Sequence, residues 1–85
     1  MTTTLVTERI AACVNAVDCR SPYRWAGHVE TDDETILLVK TTDTSYDRLE
    51  IRIEKLHPND VPGIERLHEA DALDRSASWI DDSVD

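Results

Sequence analysis

"TSYDRLEIRIEKLHP", residues 44–58, decides how this 85-residue chain is read. Tyr46, Leu49, Ile53 and Leu56 recur at three- and four-residue spacing, which gathers them on one stripe of an α-helix with the charged residues opposite. Thr44-Ser45-Tyr46-Asp47 has the Thr-x-x-Asp form of a helix start. Pro58 has no N–H and forces the residue before it out of helical geometry, so the helix ends near His57. An amphipathic helix needs an apolar surface to lie on, and the flanking sequence must supply it.

On the N-terminal side, "ETILLVKT" (34–41) reads as a strand dense in Ile36, Leu37, Leu38 and Val39. "CVNAVD" (13–18) is a strand and "PYRWAGHVE" (22–30) an extended piece, with Pro22 and Gly27 marking bends. "TDD" (31–33) is the expected turn, and the long arms on either side of it suggest a hairpin. Ahead of these, "TTTLVTERIAAC" (2–13) sets Val6, Ile10 and Cys13 on one helical face, entered from threonines able to cap it. On the C-terminal side, "GIERLH" (63–68) reads as a short strand. Leu73, Ala77, Ile80 and Val84 form a second amphipathic stripe with Asp74 as its cap. The order is α+β. It looks like a ferredoxin-like unit, βαββαβ plus a C-terminal helix, whose first β-strand is missing.

A chain of this size is one domain, 1–85, burying perhaps ~60% of the surface its unfolded form exposes. Metals, disulfides or oligomerisation commonly supplement so small a core. Cys13 and Cys19 make no disulfide framework: on one extended segment their Cα atoms would lie roughly 20 Å apart at ~3.3 Å per residue, beyond the ~7 Å limit for bridging. Free thiols, with no secretory signal, point to the cytoplasm. No apolar run approaches the ~20 residues of a membrane span. Nine basic against 18 acidic residues give a net charge of −9, which argues against nucleic acid as a partner. Arginine outnumbers lysine seven to two and aspartate outnumbers glutamate eleven to seven, with the acids dispersed along the chain. Such charge keeps a protein soluble at the expense of self-repulsion, and suggests a halophilic source.

Several stretches in order resemble the CutA family of divalent-cation tolerance proteins. These are "ERIAACVN" (8–15), "YRWAGHVETDDE" (23–34), "LLVKT" (37–41), "LHPNDVP" (56–62) and "SWI" around Trp79. The resemblance implies a ferredoxin-like sandwich assembled as a cytoplasmic homotrimer through the edge strands of long hairpins, with tolerance to divalent cations, copper in particular, and no recognised enzymatic activity. It also implies a strand and most of a helix ahead of "ERIAACVN", where this chain has seven residues, so further coding sequence is expected upstream of Met1. Asn59 stands where the family commonly has an aromatic residue.

His57 matches the family's histidine. It can offer an imidazole nitrogen to Cu²⁺ or another divalent cation, or serve the helix C-terminus, where a histidine side chain bonds free carbonyls and suits the dipole. Cys19, flanked by Asp18 and Arg20 in a bend, is a thiolate ligand or a free thiol. Cys13 reads as a buried small hydrophobe. His28 and His68 read as surface residues on strands. Tyr23 and Trp25 share one face of an extended segment, packing into the core or lining a pocket between subunits. No His-x₃-His or Cys-x₂-Cys spacing supports a preformed metal site, and no catalytic triad or glycine-rich phosphate loop stands out. Two functions are expected to compete. One is a homotrimer that responds to and binds divalent metal ions with modest affinity. The other is a trimeric scaffold, or a signalling protein like the PII regulators, that binds a protein partner without metal.

Overall fold

A computed structural model describes residues 1–57 and 63–85 of the chain. Residues 58–62, most of the family-like stretch "LHPNDVP", lie outside the described residues. The elements are α1 (Thr2–Thr7), β1 (Cys13–Trp25), β2 (His28–Lys40), a 3-10 turn (Asp43–Ser45), α2 (Tyr46–Leu56) and α3 (Asp74–Ser83). The architecture is α+β, as expected, and is consistent with a ferredoxin-like fold; among the described residues the sheet has two strands.

β1 and β2 pair antiparallel along their whole length, from Cys13 opposite Lys40 to Trp25 opposite His28. The turn is therefore Ala26-Gly27 and not 31–33. Both residues have positive φ, 51° and 81°, which a two-residue turn of the I′ kind requires so that its twist matches the strands. Thr31, Asp32 and Asp33 sit within β2, opposite Pro22, Ser21 and Arg20. Their polar composition suits a turn, yet a strand tolerates them because this part of the ribbon is solvated and its acids find partners across it. The Tyr23 hydroxyl donates to Asp32, and Arg20 Nε lies 3.4 Å from Asp33 Oδ1. Pro22 makes no bend either: it lies within β1, whose other edge no described strand pairs with, where its missing N–H removes no ladder bond.

α1 is shorter than its sequence suggests. It ends at Thr7, and Arg9 follows with φ 60°, so the 3.6-residue period never runs from Val6 to Cys13. Leu5, not Val6, is the buried residue of α1; Leu5 is 0% exposed and Val6 41%. Ile10 reaches the interior through the turn at Arg9, where the N–H groups of Ile10 and Ala11 both donate to the Leu5 carbonyl at 3.1 Å. Leu5, Ile10 and Ala11 pack with Leu49 and Ile53 of α2, and Val14, Val39, Leu56 and Ile64 close around them. The core thus sits at the root of the hairpin. Glu8 receives both Arg52 Nε and Nη2, at 2.8 and 2.7 Å, tying the chain after α1 to α2. This bond from Arg52 holds the Glu8 carboxyl below its usual range.

α2 begins as expected but without the Thr44 cap. A 3-10 turn leads into it, Ser45 is the flanking residue, and no side-chain cap bond forms. The buried Ser45 hydroxyl donates instead to the Asp85 carbonyl oxygen at 3.1 Å. Asp85 is further tied by its N–H to the Arg9 carbonyl, 3.0 Å, and by its carboxylate to Arg9 Nε, 2.8 Å.

The segment expected as a strand at 63–68 is irregular. Strand geometry is stabilised by ladder bonds to a neighbour, and no described strand borders this segment. It is held at intervals, by Arg66 stacked 4.3 Å over the Tyr46 ring and by His68 Nδ1 lying 3.6 Å from Asp43. α3 starts at Asp74, with Leu73 and not Asp74 in the capping position. Of its stripe, Val84 is buried, Ala77 and Ile80 are half-buried, and Leu73 is exposed. The molecule measures 45 × 27 × 19 Å. A thirteen-residue strand at ~3.4 Å per residue accounts for the long axis.

Candidate functional site

The apolar stripes of α2 and α3 converge on one open cleft of about 1710 Å³. Along one side run residues 33–37 and 39–42 of β2 and the chain after it. Consecutive strand residues point to opposite faces, so a cleft touching nearly all of them follows the edge of the strand. No β1 residue lines it, so this is the edge of β2 facing away from β1. Residues 63–69 form the opposite side. Tyr46, Leu49 and Ile53 of the α2 stripe and Ala77, Ile80 and Val84 of the α3 stripe provide the apolar lining, with His57 at the end of α2 beside them.

The charged lining is one-sided. Asp33, Glu34, Asp43, Glu65, Glu69, Asp71, Asp81 and Asp85 are set against Lys40 and Arg66. Small-molecule pockets hold ~300–1,000 Å³ and enclose their ligand; this cleft is larger and open along its length.

The sequence-derived candidates are dispersed. His57 terminates α2: its backbone is extended, φ −77° and ψ 133°, and its N–H donates to the Ile53 carbonyl at 2.8 Å. It is half-buried and lines the cleft. Cys19 lies within β1, not in a bend, opposite Glu34, with Sγ 3.6 Å from Ser21 Oγ. It is not among the residues lining the cleft. Among the described residues no group of three or more His, Cys, Asp or Glu is gathered to hold a metal ion.

Cys13 is half-buried rather than buried, its Sγ 3.7 Å from Asn15 Oδ1 at the start of β1. His28 is exposed beside the hairpin turn; His68 is exposed on the irregular 63–69 segment rather than on a strand. Tyr23 and Trp25 are not core residues. Trp25 is 61% exposed, because no described element covers the outer half of the ribbon. The Tyr23 phenol is pushed up to about 12, mainly by its hydrogen bond to Asp32. The cleft itself is the feature that sequence reasoning misses. Its trace is that the α2 and α3 stripes call for more sheet than one hairpin presents.

The CutA1 divalent ion tolerance protein family matches residues 1–83. The divalent-cation tolerance protein CutA of Thermus thermophilus is 46% identical over 77 residues, covering 89% of this chain and 75% of that protein. The crystal structure of CutA1 from Pyrococcus horikoshii superposes with a TM-score of 0.93 at 35% identity, covering 98% of this chain and 81% of that one. The PII-like protein CutA from Nostoc sp. PCC 7120, in apo form, gives a TM-score of 0.95 at 29% identity over 99% of this chain and 83% of that one.

Proposed function

Since the chain belongs to the CutA1 divalent ion tolerance family, we propose that it serves the cell's response to divalent cations as a non-catalytic cytoplasmic homotrimer that binds Cu²⁺ or a related ion with modest affinity. The observation that carries this reading is the family match over 1–83. Trimer formation draws support from the sheet face turned away from the core, where Val17, Ile36 and Leu38 are about half exposed side by side. An uncovered apolar patch of this kind marks a surface for association. The cytoplasmic assignment is supported by the two free cysteines.

His57 is the residue through which a metal is first sought, since an imidazole nitrogen suits Cu²⁺. Among the described residues no set of three donors is gathered, so co-ligands are sought outside them, in a neighbouring copy among other places; Cys19 is the second candidate. Titration calorimetry of the assembled protein tests this. Micromolar Cu²⁺ binding that disappears in His57→Ala is expected, and no heat of binding by the assembled wild type would remove the metal role. Light scattering during chromatography reads the assembly independently.

A second reading is favoured by the acidic, open cleft, which is too large for an ion, and by the PII-like naming of the Nostoc relative. In it the protein is a trimeric scaffold that binds a protein partner without metal. Stoichiometric capture of one partner by metal-stripped protein separates it from the first.

A further inference from the structure

We propose that Arg9 is a latch that fastens helix α3 to the rest of the fold. In this reading α3 is a strap: when the latch lets go, it opens as a unit about the irregular residues 69–73. The proposal does not depend on the metal reading.

The end of α3 lacks the groups that usually complete a helix. The last four carbonyls of a helix have no partner within it, and a basic side chain in the final turn commonly serves them. The final turn of α3 holds no basic residue. It holds Asp81 and Asp82 instead, whose charge opposes the negative end of the helix dipole. The missing cation comes from far away in the sequence. Arg9 Nη2 donates to the Asp82 carbonyl at 2.8 Å, and Arg9 Nε donates to Asp85 Oδ1 at 2.8 Å.

The backbone of Arg9 is committed to the same contact. Its φ of 60° is the left-handed region, where an L side chain crowds the following carbonyl. In that conformation the Arg9 carbonyl accepts two donors, the Asp85 N–H at 3.0 Å and Arg48 Nη2 of α2 at 3.3 Å. The buried Ser45 hydroxyl, at the entry to α2, holds the Asp85 carbonyl at 3.1 Å. Val84, between the tied residues Asp82 and Asp85, is buried. A strained residue persists only where its surroundings over-determine it, so these bonds form and break together.

The joint lies on the other side of α3. His68 is anchored to Asp43, and between it and Asp74 the chain is irregular. An element joined in this way can open locally while the remainder stays folded.

The test is native-state proteolysis of the 85-residue chain by chymotrypsin, with the cut sites assigned by mass spectrometry. Cutting after Trp79 requires α3 to unwind; cutting after Tyr46 or Leu49 requires α2 to do so. Where opening and closing are fast beside cleavage, the rate follows the population of the open form. Arg9→Lys keeps the charge without the planar fork that reaches two acceptors, and Ser45→Ala removes the second tie. Each should speed the Trp79 cut about fivefold and leave the α2 cuts unchanged. Two parts of one latch are not additive, so the double variant should stay within about twofold of the faster single one. Arg9→Gly relieves the positive φ, which alone would slow every cut; loss of the latch should speed the Trp79 cut all the same. Equal acceleration in α2 and α3 makes Arg9 a general stabiliser and overturns the latch. An unchanged Trp79 cut in both single variants, or full additivity in the double, overturns it as well. If Arg9→Gly misfolds by circular dichroism, the other three variants decide the result.

Discussion

Leu5 is fully excluded from solvent, and its methyl groups touch both the chain after α1 and the α2 stripe through the shared core. Removing them leaves a cavity that neighbouring backbone fills only in part. Leu5→Ala is expected to cost about 2–5 kcal/mol in urea unfolding, whereas Val6→Ala, at an exposed site, stays within about 0.5 kcal/mol. The contrast checks which face of α1 is the inner one. Tyr23 makes a different test. Its phenol is held protonated up to about 12 against an ordinary 10.0, with the hydrogen bond to Asp32 as the first cause. That contribution is complete below the ordinary value and is lost as pH rises toward 12. The melting temperature of the wild type should therefore fall more steeply between these two values than that of Tyr23→Phe. The bond is on the surface, so the difference is small.

At the scale of elements, the hairpin turn holds the clearest local strain. Ala26 sits at φ 51°, where a Cβ crowds the following carbonyl and asparagine is better tolerated. Ala26→Asn should raise stability by about 0.5–1 kcal/mol, read from the urea midpoint at constant slope. This turn also shows what the sequence does and does not reveal. α2 is legible because Leu49 and Ile53 are buried at their periodic positions, and the His-Pro step marks its end. The hairpin is legible as two long arms, but not its turn: Thr31-Asp32-Asp33 carries turn composition, while the constraint that decides is which two residues accept positive φ. Gly27 was the available signal. Residues 63–68 have strand composition yet remain irregular, since a ladder needs a neighbour and composition does not say whether one exists. His57 could be placed at a helix end from Pro58 alone. That it opens on a cleft, and that Cys19 does not, depends on tertiary arrangement that no local pattern encodes.

For the whole molecule, charge and shape set the expectations. Eighteen acidic side chains against nine basic ones repel one another over the ~10 Å screening length of dilute salt, and far less over the ~3 Å length at 1 M. The melting temperature should rise between these conditions; a flat response would place the stabilising terms elsewhere, in apolar packing. The ribbon has a further consequence. Its root is clamped by the core around Leu49 and Ile53, while its tip at Trp25 and His28 reaches out along a 45 Å axis, held among the described residues by cross-strand pairing. A two-stranded ribbon alone is marginal in water, so in an isolated copy deuterium should enter the tip amides early and the root amides late, in a continuous gradient. If neighbouring copies clasp the ribbon, that gradient flattens. The rate at which Val29 and Arg24 take up label then reports assembly from within the chain, without a probe attached to it.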